Sequence, residues 1–126
     1  MLKGFKKIGE YREPGANPVY EEYIGRSKSA VVPIVYLLVV SGVIKYVGES
    51  RRGYSRPLSY HKNKVMWRQR EGVLSTLSNG GVVEVFAIEV PHIKMMFNGA
   101  NFDCYVAQDY EKYLIAKHMP EWNGRA

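Results

Sequence analysis

At 126 residues the chain is long enough for one hydrophobic core and too short for two. Its 18 Lys and Arg against 12 Asp and Glu leave a net charge of +6, a balance that points to a polyanionic partner. One cysteine, Cys104, excludes an intrachain disulfide and a cysteine-based zinc site.

Residues 1–30 are polar and interrupted by Pro14, Gly15, Pro18 and Gly25. They read as an N-terminal arm in front of a domain over 31–126. The segment starting at Met1-Leu2-Lys3 has no apolar signal core. The apolar run 31–40 falls short of the roughly twenty residues that span a bilayer. The expectation is a soluble, cytoplasmic protein with no membrane partner and no small-molecule cofactor.

Ile34 to Val39 and Val43 to Val47 are β-branched runs around Ser41-Gly42, the pattern of a hairpin. A two-residue loop pairs Val40 with Val43 and, in a regular ladder, sends Tyr36 and Tyr46 to opposite faces. A three-residue loop pairs Val39 with Val43 and sets the two tyrosines opposite each other on one face. The three-residue loop is the expectation. A helix is predicted to begin near Tyr54 to Pro57, carrying Arg56 and Tyr60 on one face. A second is predicted from about Lys64 to Leu77, ending at Asn79-Gly80-Gly81. Val82 to Val90 alternates as a third strand, and 91–101 reads as a loop. Asp103 to His118 reads as a helix with Val106, Tyr110, Tyr113 and Leu114 toward the core. The fold class is α+β: a three-stranded antiparallel sheet flanked by helices, in the order strand-strand-helix-helix-strand-helix.

Charge is concentrated in one stretch. Arg51, Arg52, Arg56, Lys62, Lys64, Arg68 and Arg70 fall within twenty residues that hold no acid, leaving 11 basic residues against 12 acidic ones elsewhere. This is the pattern of a phosphate-tracking surface, to which Gly48 and Ser50 are added as neighbours.

The order and spacing of a few residues add a sharper signal. Ile34-Val35-Tyr36, Tyr46-Val47-Gly48, Arg56, Tyr60, Glu111-Lys112-Tyr113-Leu114-Ile115 and Pro120-Glu121-Trp122-Asn123 resemble, in sequence order, the motifs of the GIY-YIG nuclease superfamily. The resemblance covers residues 34–123. It implies a phosphodiester-cleaving site with Tyr36, Tyr46, Arg56, Tyr60 and Asn123 in catalytic positions and Glu111 as the metal ligand. It further implies Mg²⁺ as cofactor, with Mn²⁺ also supporting activity, and double-stranded DNA as substrate. The chain departs from the pattern where Ile34 stands for the first glycine and where Glu49 follows Gly48. Glu49 either adds a metal contact or repels phosphate. A literal Tyr23-Ile24-Gly25 in the arm has no hairpin partner or arginine at the right distance and is set aside.

The physical chemistry agrees with the resemblance. A carboxylate such as Glu111 holds one Mg²⁺ through oxygen with waters completing the shell. Arg56 presents a permanently charged fork to phosphate oxygens. Tyrosine needs its reference pKa near 10 lowered before it can act as a base, and His61 beside Tyr60 is an alternative base. Asn123 can hydrogen-bond the site and hold the C-terminal segment. Small size points to a stand-alone phage or restriction type of enzyme. Double-strand cleavage by one site per chain then requires a homodimer, with the arm as the exchanged element, or sequential nicking. A catalytically inactive nucleic-acid-binding module and an RNA-directed nuclease are the two alternatives.

Overall fold

Strand β3 (Ile34–Val40) is apolar throughout and buried at six of its seven positions, because both of its faces are covered. The computed structural model describes residues 2–12, 19–20, 32–57 and 68–124. β3 lies between β4 (Val43–Ser50) and β5 (Val83–Glu89), and β5 also pairs with β1 (Lys6–Tyr11), whose outer neighbour is the two-residue β2 (Val19–Tyr20). Every pairing is antiparallel, in the order β2-β1-β5-β3-β4. A separate hairpin joins β6 (Ile93–Phe97) to β7 (Ala100–Cys104). Helix α1 (Arg68–Ser78) covers one face of the sheet with Val73 and Leu77, and α2 (Ala107–His118) covers the other with Ala107 and Leu114.

The α+β class holds, but the sheet has five strands rather than three. The extra strands come from the expected arm. Ile8 and Tyr11, 0 % and 1 % exposed, both enter the α1-side core although they stand three apart. A bulge between Lys7 and Gly9 makes this possible, and it also hid the strand from a period-two reading. The expected loop 91–101 is largely the β6–β7 hairpin, closed by Asn98-Gly99 with φ of 52° and 78°. Both angles are positive, as a type I′ turn requires, and Asn-Gly is the pair that adopts it most readily. That signal was present in the sequence.

Helix α2 begins at Ala107, four residues later than expected, because Asp103 and Cys104 belong to β7. Its inward stripe is Ala107, Glu111 and Leu114, while Tyr113 is 56 % exposed. The helix predicted from Tyr54 opens as a 3₁₀ turn over Gly53–Ser55, held by the Tyr11 hydroxyl donating to the Pro57 carbonyl at 2.8 Å. Tyr60, His61, Lys62, Lys64 and the Tyr23-Ile24-Gly25 triplet lie outside the described residues. Among the described residues no helix is long and apolar enough to cross a membrane.

Candidate active site at the open edge of the sheet

The hairpin decides where the two tyrosines point. Its loop has two residues, not three: Val40 pairs with Val43, and Ser41 and Gly42 take φ of 49° and 79°. A regular ladder from that turn would have put Tyr46 opposite Leu37 and across the sheet from Tyr36. A bulge at Lys45 inserts one residue, so Val39 pairs with Ile44 and Leu38 with Tyr46. Tyr36 then faces Gly48, with Tyr46 diagonal to it on the same face. Their ring centroids are 6.0 Å apart with planes at 45°. The expected shared face is found, and the device that produces it is the bulge rather than the loop.

Gly48 is the space into which Tyr36 lies. A Cβ at this position would stand 2.5 Å from Tyr36 Cζ, 2.6 Å from Tyr36 Oη and 2.8 Å from Tyr46 Cε2. Any side chain there would displace one of the phenols. The Gln69 amide of α1 donates to the Tyr46 hydroxyl at 3.3 Å and orients it from the helix side.

β4 is the outermost strand of the sheet, and its free side is closed by Asn123. Asn123 Oδ1 accepts from the Val47 amide at 2.9 Å, and its Nδ2 donates to the Val47 carbonyl at 2.8 Å. The side-chain amide thus takes the place of a neighbouring strand's peptide. Trp122 anchors the same turn by lying on Gly72 of α1, where a Cβ would come within 2.2 Å of the indole. Lys45, the bulged residue, reaches Glu121 at 2.8 Å. Asn123 is therefore a positioning residue, which holds the strand that carries Tyr46 and Gly48.

The carboxylates come from the other face. Glu49 pairs with Val35, on the α2 side, and Glu111 sits on the inward stripe of α2. Glu111 is nevertheless near enough to Tyr46 for the two to influence each other electrostatically. Burial pushes the Glu111 carboxyl up to about 7; the nearby Glu49 charge adds to this, and Arg56 and Lys112 partly offset it. The Tyr46 phenol is pushed well above its ordinary value, first by burial and then by Tyr36 and Glu111, against the pull of Arg56. Tyr46 is thus within electrostatic reach of Tyr36, Arg56 and Glu111, and Glu111 of Arg56. Arg56 also lines a cleft with Glu49, Ser50, Arg51 and Arg52.

One residue the sequence reading passed over, Tyr105, completes the rim. The Tyr105 hydroxyl donates to Glu49 Oε1, and the Arg51 guanidinium lies 3.9 Å over the Tyr105 ring. Burial and the Glu49 carboxylate raise the Tyr105 pKa. Nothing in the spacing marks Tyr105; it becomes visible only when β7 delivers it to Glu49. Of the expected nucleic-acid contacts, Arg51, Arg52 and Arg56 are exposed at the cleft and Arg70 is half-buried on α1. Gly48 and Ser50 are buried, and Ser50 Oγ accepts from the Arg52 amide at 3.2 Å, shaping the turn beneath the arginines. The Arg68 side chain is outside the description.

The donor set suits a hard cation. Two neighbouring carboxylates, Glu49 and Glu111, are oxygen ligands of the kind that hold Mg²⁺ or Mn²⁺. Among the described residues no group of three or more His, Cys, Asp or Glu side chains gathers around one point, so any cation here keeps several waters.

The architecture is that of solved GIY-YIG nuclease structures. A point mutant of bacteriophage T4 EndoII superposes with a TM-score of 0.69 at 17 % identity, over 95 % of this chain and 92 % of that one. The restriction endonuclease HPY188I in complex with product DNA gives 0.52 at 16 % identity, over 98 % and 79 %. The magnesium-bound GIY-YIG N-terminal endonuclease domain of UvrC from Thermotoga maritima gives 0.50 at 24 % identity, over 82 % and 99 %. No protein-family model matches the sequence, and no curated protein matches it.

Proposed function

We propose that the chain is a divalent-metal-dependent DNA endonuclease of the phage or restriction type, acting in the cytoplasm on double-stranded DNA. The observation that carries this reading is the meeting of Tyr36, Tyr46, Arg56 and Glu111 at one sheet edge. The solved structures it resembles support it, since one was described with product DNA and another with its catalytic magnesium.

Glu111 would hold the cation, with Glu49 as its neighbouring oxygen donor. A bound Mg²⁺ or Mn²⁺ supplies Lewis-acid polarisation of the phosphoryl group and neutralises charge on it. Arg56 grips the phosphate through its fork and stabilises the negative charge that grows in the transition state. The raised pKa of Tyr46 keeps its hydroxyl protonated near neutral pH, so Tyr46 orients the attacking water rather than deprotonating it. Tyr36 sets the position of Tyr46, and Asn123 holds β4. The proton acceptor is Tyr60 or His61, four and five residues beyond Arg56 in sequence. Arg51, Arg52, Lys62, Lys64, Arg68 and Arg70 track the phosphate backbone.

The test is relaxation of a supercoiled plasmid with and without Mg²⁺ or Mn²⁺, for wild type and Glu111→Ala, beside a structured RNA. Metal-dependent nicking lost in Glu111→Ala supports the reading. An intact plasmid with both metals refutes it, and cleavage of RNA alone reassigns the substrate. Rates of Tyr60→Phe and His61→Ala separate the two bases.

A further inference from the structure

The β6–β7 hairpin is amphipathic, and its apolar face is substantially exposed. The pairs Ile93–Cys104, Met95–Phe102 and Phe97–Ala100 share one face, while Lys94–Asp103 and Met96–Asn101 share the other. Lys94 and Asp103 neutralise each other at 2.9 Å on that second face. Ile93, Met95, Phe97 and Phe102 are 49 %, 44 %, 73 % and 44 % exposed, and residues 91–103 are exposed throughout.

A two-stranded hairpin with nothing packed on it is marginal in water. This one is nevertheless anchored at its root. His92 meets the Tyr105 ring edge-on at 5.6 Å, Tyr105 donates to Glu49, and Arg51 caps the ring. It is a held surface, shaped to receive something.

We infer that this face packs on the same face of a second copy of the chain, forming a symmetric dimer through the hairpins. The face carries no charge, so two copies of a +6 protein meet there without like charges in contact. DNA is the poorer fit, because a surface for a polyanion turns cations outward, and the hairpin's one lysine is on the opposite face, paired. Shape agrees: a flat pleated face is its own complement about a two-fold axis. The four large side chains offer on the order of 400 Å² of exposed apolar area per copy, already the size of a patch that marks an interaction site. Two copies together remove on the order of 800 Å², the size of a weak, concentration-dependent interface rather than a permanent one. The inference is independent of the nuclease reading.

The experiment is sedimentation equilibrium of the full chain over a wide concentration range, with far-ultraviolet circular dichroism as the check on folding. Wild type is expected to dimerise. Phe102→Lys and, as a second variant, Met95→Lys place one lysine in the apolar face and raise the dimer dissociation constant at least about tenfold. Met96→Lys places the same charge on the opposite face, at a residue 73 % exposed, and leaves dimerisation unchanged. A wild type monomeric throughout overturns the inference. So does a folded Phe102→Lys and Met95→Lys pair that still dimerises, or a Met96→Lys that dissociates as readily. Loss of duplex affinity in the apolar-face variants at an unchanged oligomeric state assigns the face to nucleic acid and also overturns it.

Discussion

Replacing Gly48 by alanine tests how the two tyrosines are set. The added methyl would sit 2.5 Å from Tyr36 Cζ and 2.6 Å from its hydroxyl, in a ring only 1 % exposed, so neither partner has free space to yield. Overpacking of this kind costs about 1–3 kcal/mol. For a domain of this length that corresponds to a fall of roughly 4–10 °C in Tm. The decisive measurement is a double-mutant cycle by urea unfolding. Tyr36→Ala alone is expected to cost about 3–5 kcal/mol through the cavity it leaves. In that background Gly48→Ala meets only Tyr46 Cε2, at 2.8 Å, so its cost should fall well below the wild-type value, a coupling of about 1 kcal/mol or more. Equal cost in both backgrounds would falsify the claim that Gly48 exists to admit the Tyr36 ring.

Removing the Asn123 clamp by Asn123→Ala leaves the Val47 amide and carbonyl at an edge only partly reached by water, and about 1–3 kcal/mol of stability should be lost in urea unfolding. In metal-free buffer, the raised pKa of Glu111 means that stability present below about 4.5 is lost as pH rises through about 7. Discounted for its half-exposed setting, the effect is about 1–2 kcal/mol. Glu111→Gln should flatten that part of the Tm-against-pH curve and abolish stabilisation by added Mg²⁺; parallel curves for the two proteins would rule out the assignment. Arg56→Lys keeps the charge but not the fork and is expected to slow single-turnover cleavage by at least about tenfold; an unchanged rate removes Arg56 from the transition state.

Much of this molecule was legible before folding. β3, β4 and β5 follow from β-branched runs, and the ends of α1 and α2 from Gly80 and Pro120. The order of Tyr36, Tyr46, Arg56, Glu111 and Asn123 carried the resemblance that the fold bears out. Two of the misreadings share a cause. Ile8 and Tyr11 hide β1 because a bulge breaks the alternation that marks a strand. The hairpin loop was misjudged for the same reason, since a bulge at Lys45 has no composition of its own. A bulge is a matter of which residues oppose which, and one strand read alone contains no opposition.

What the sequence determined by itself is the chemistry in hand: two phenols, a guanidinium, a carboxylate and a basic stretch, in a fixed order along the chain. What the tertiary structure alone decided is their meeting. The Lys45 bulge turns Tyr46 onto the face of Tyr36, the packing of α2 brings Glu111 within electrostatic reach of Tyr46 and of Glu49, and β7 brings Tyr105 to Glu49. The physical reason is parity and position. One inserted residue reverses every later side chain of a strand, and which elements pack beside that strand is settled only when the chain folds.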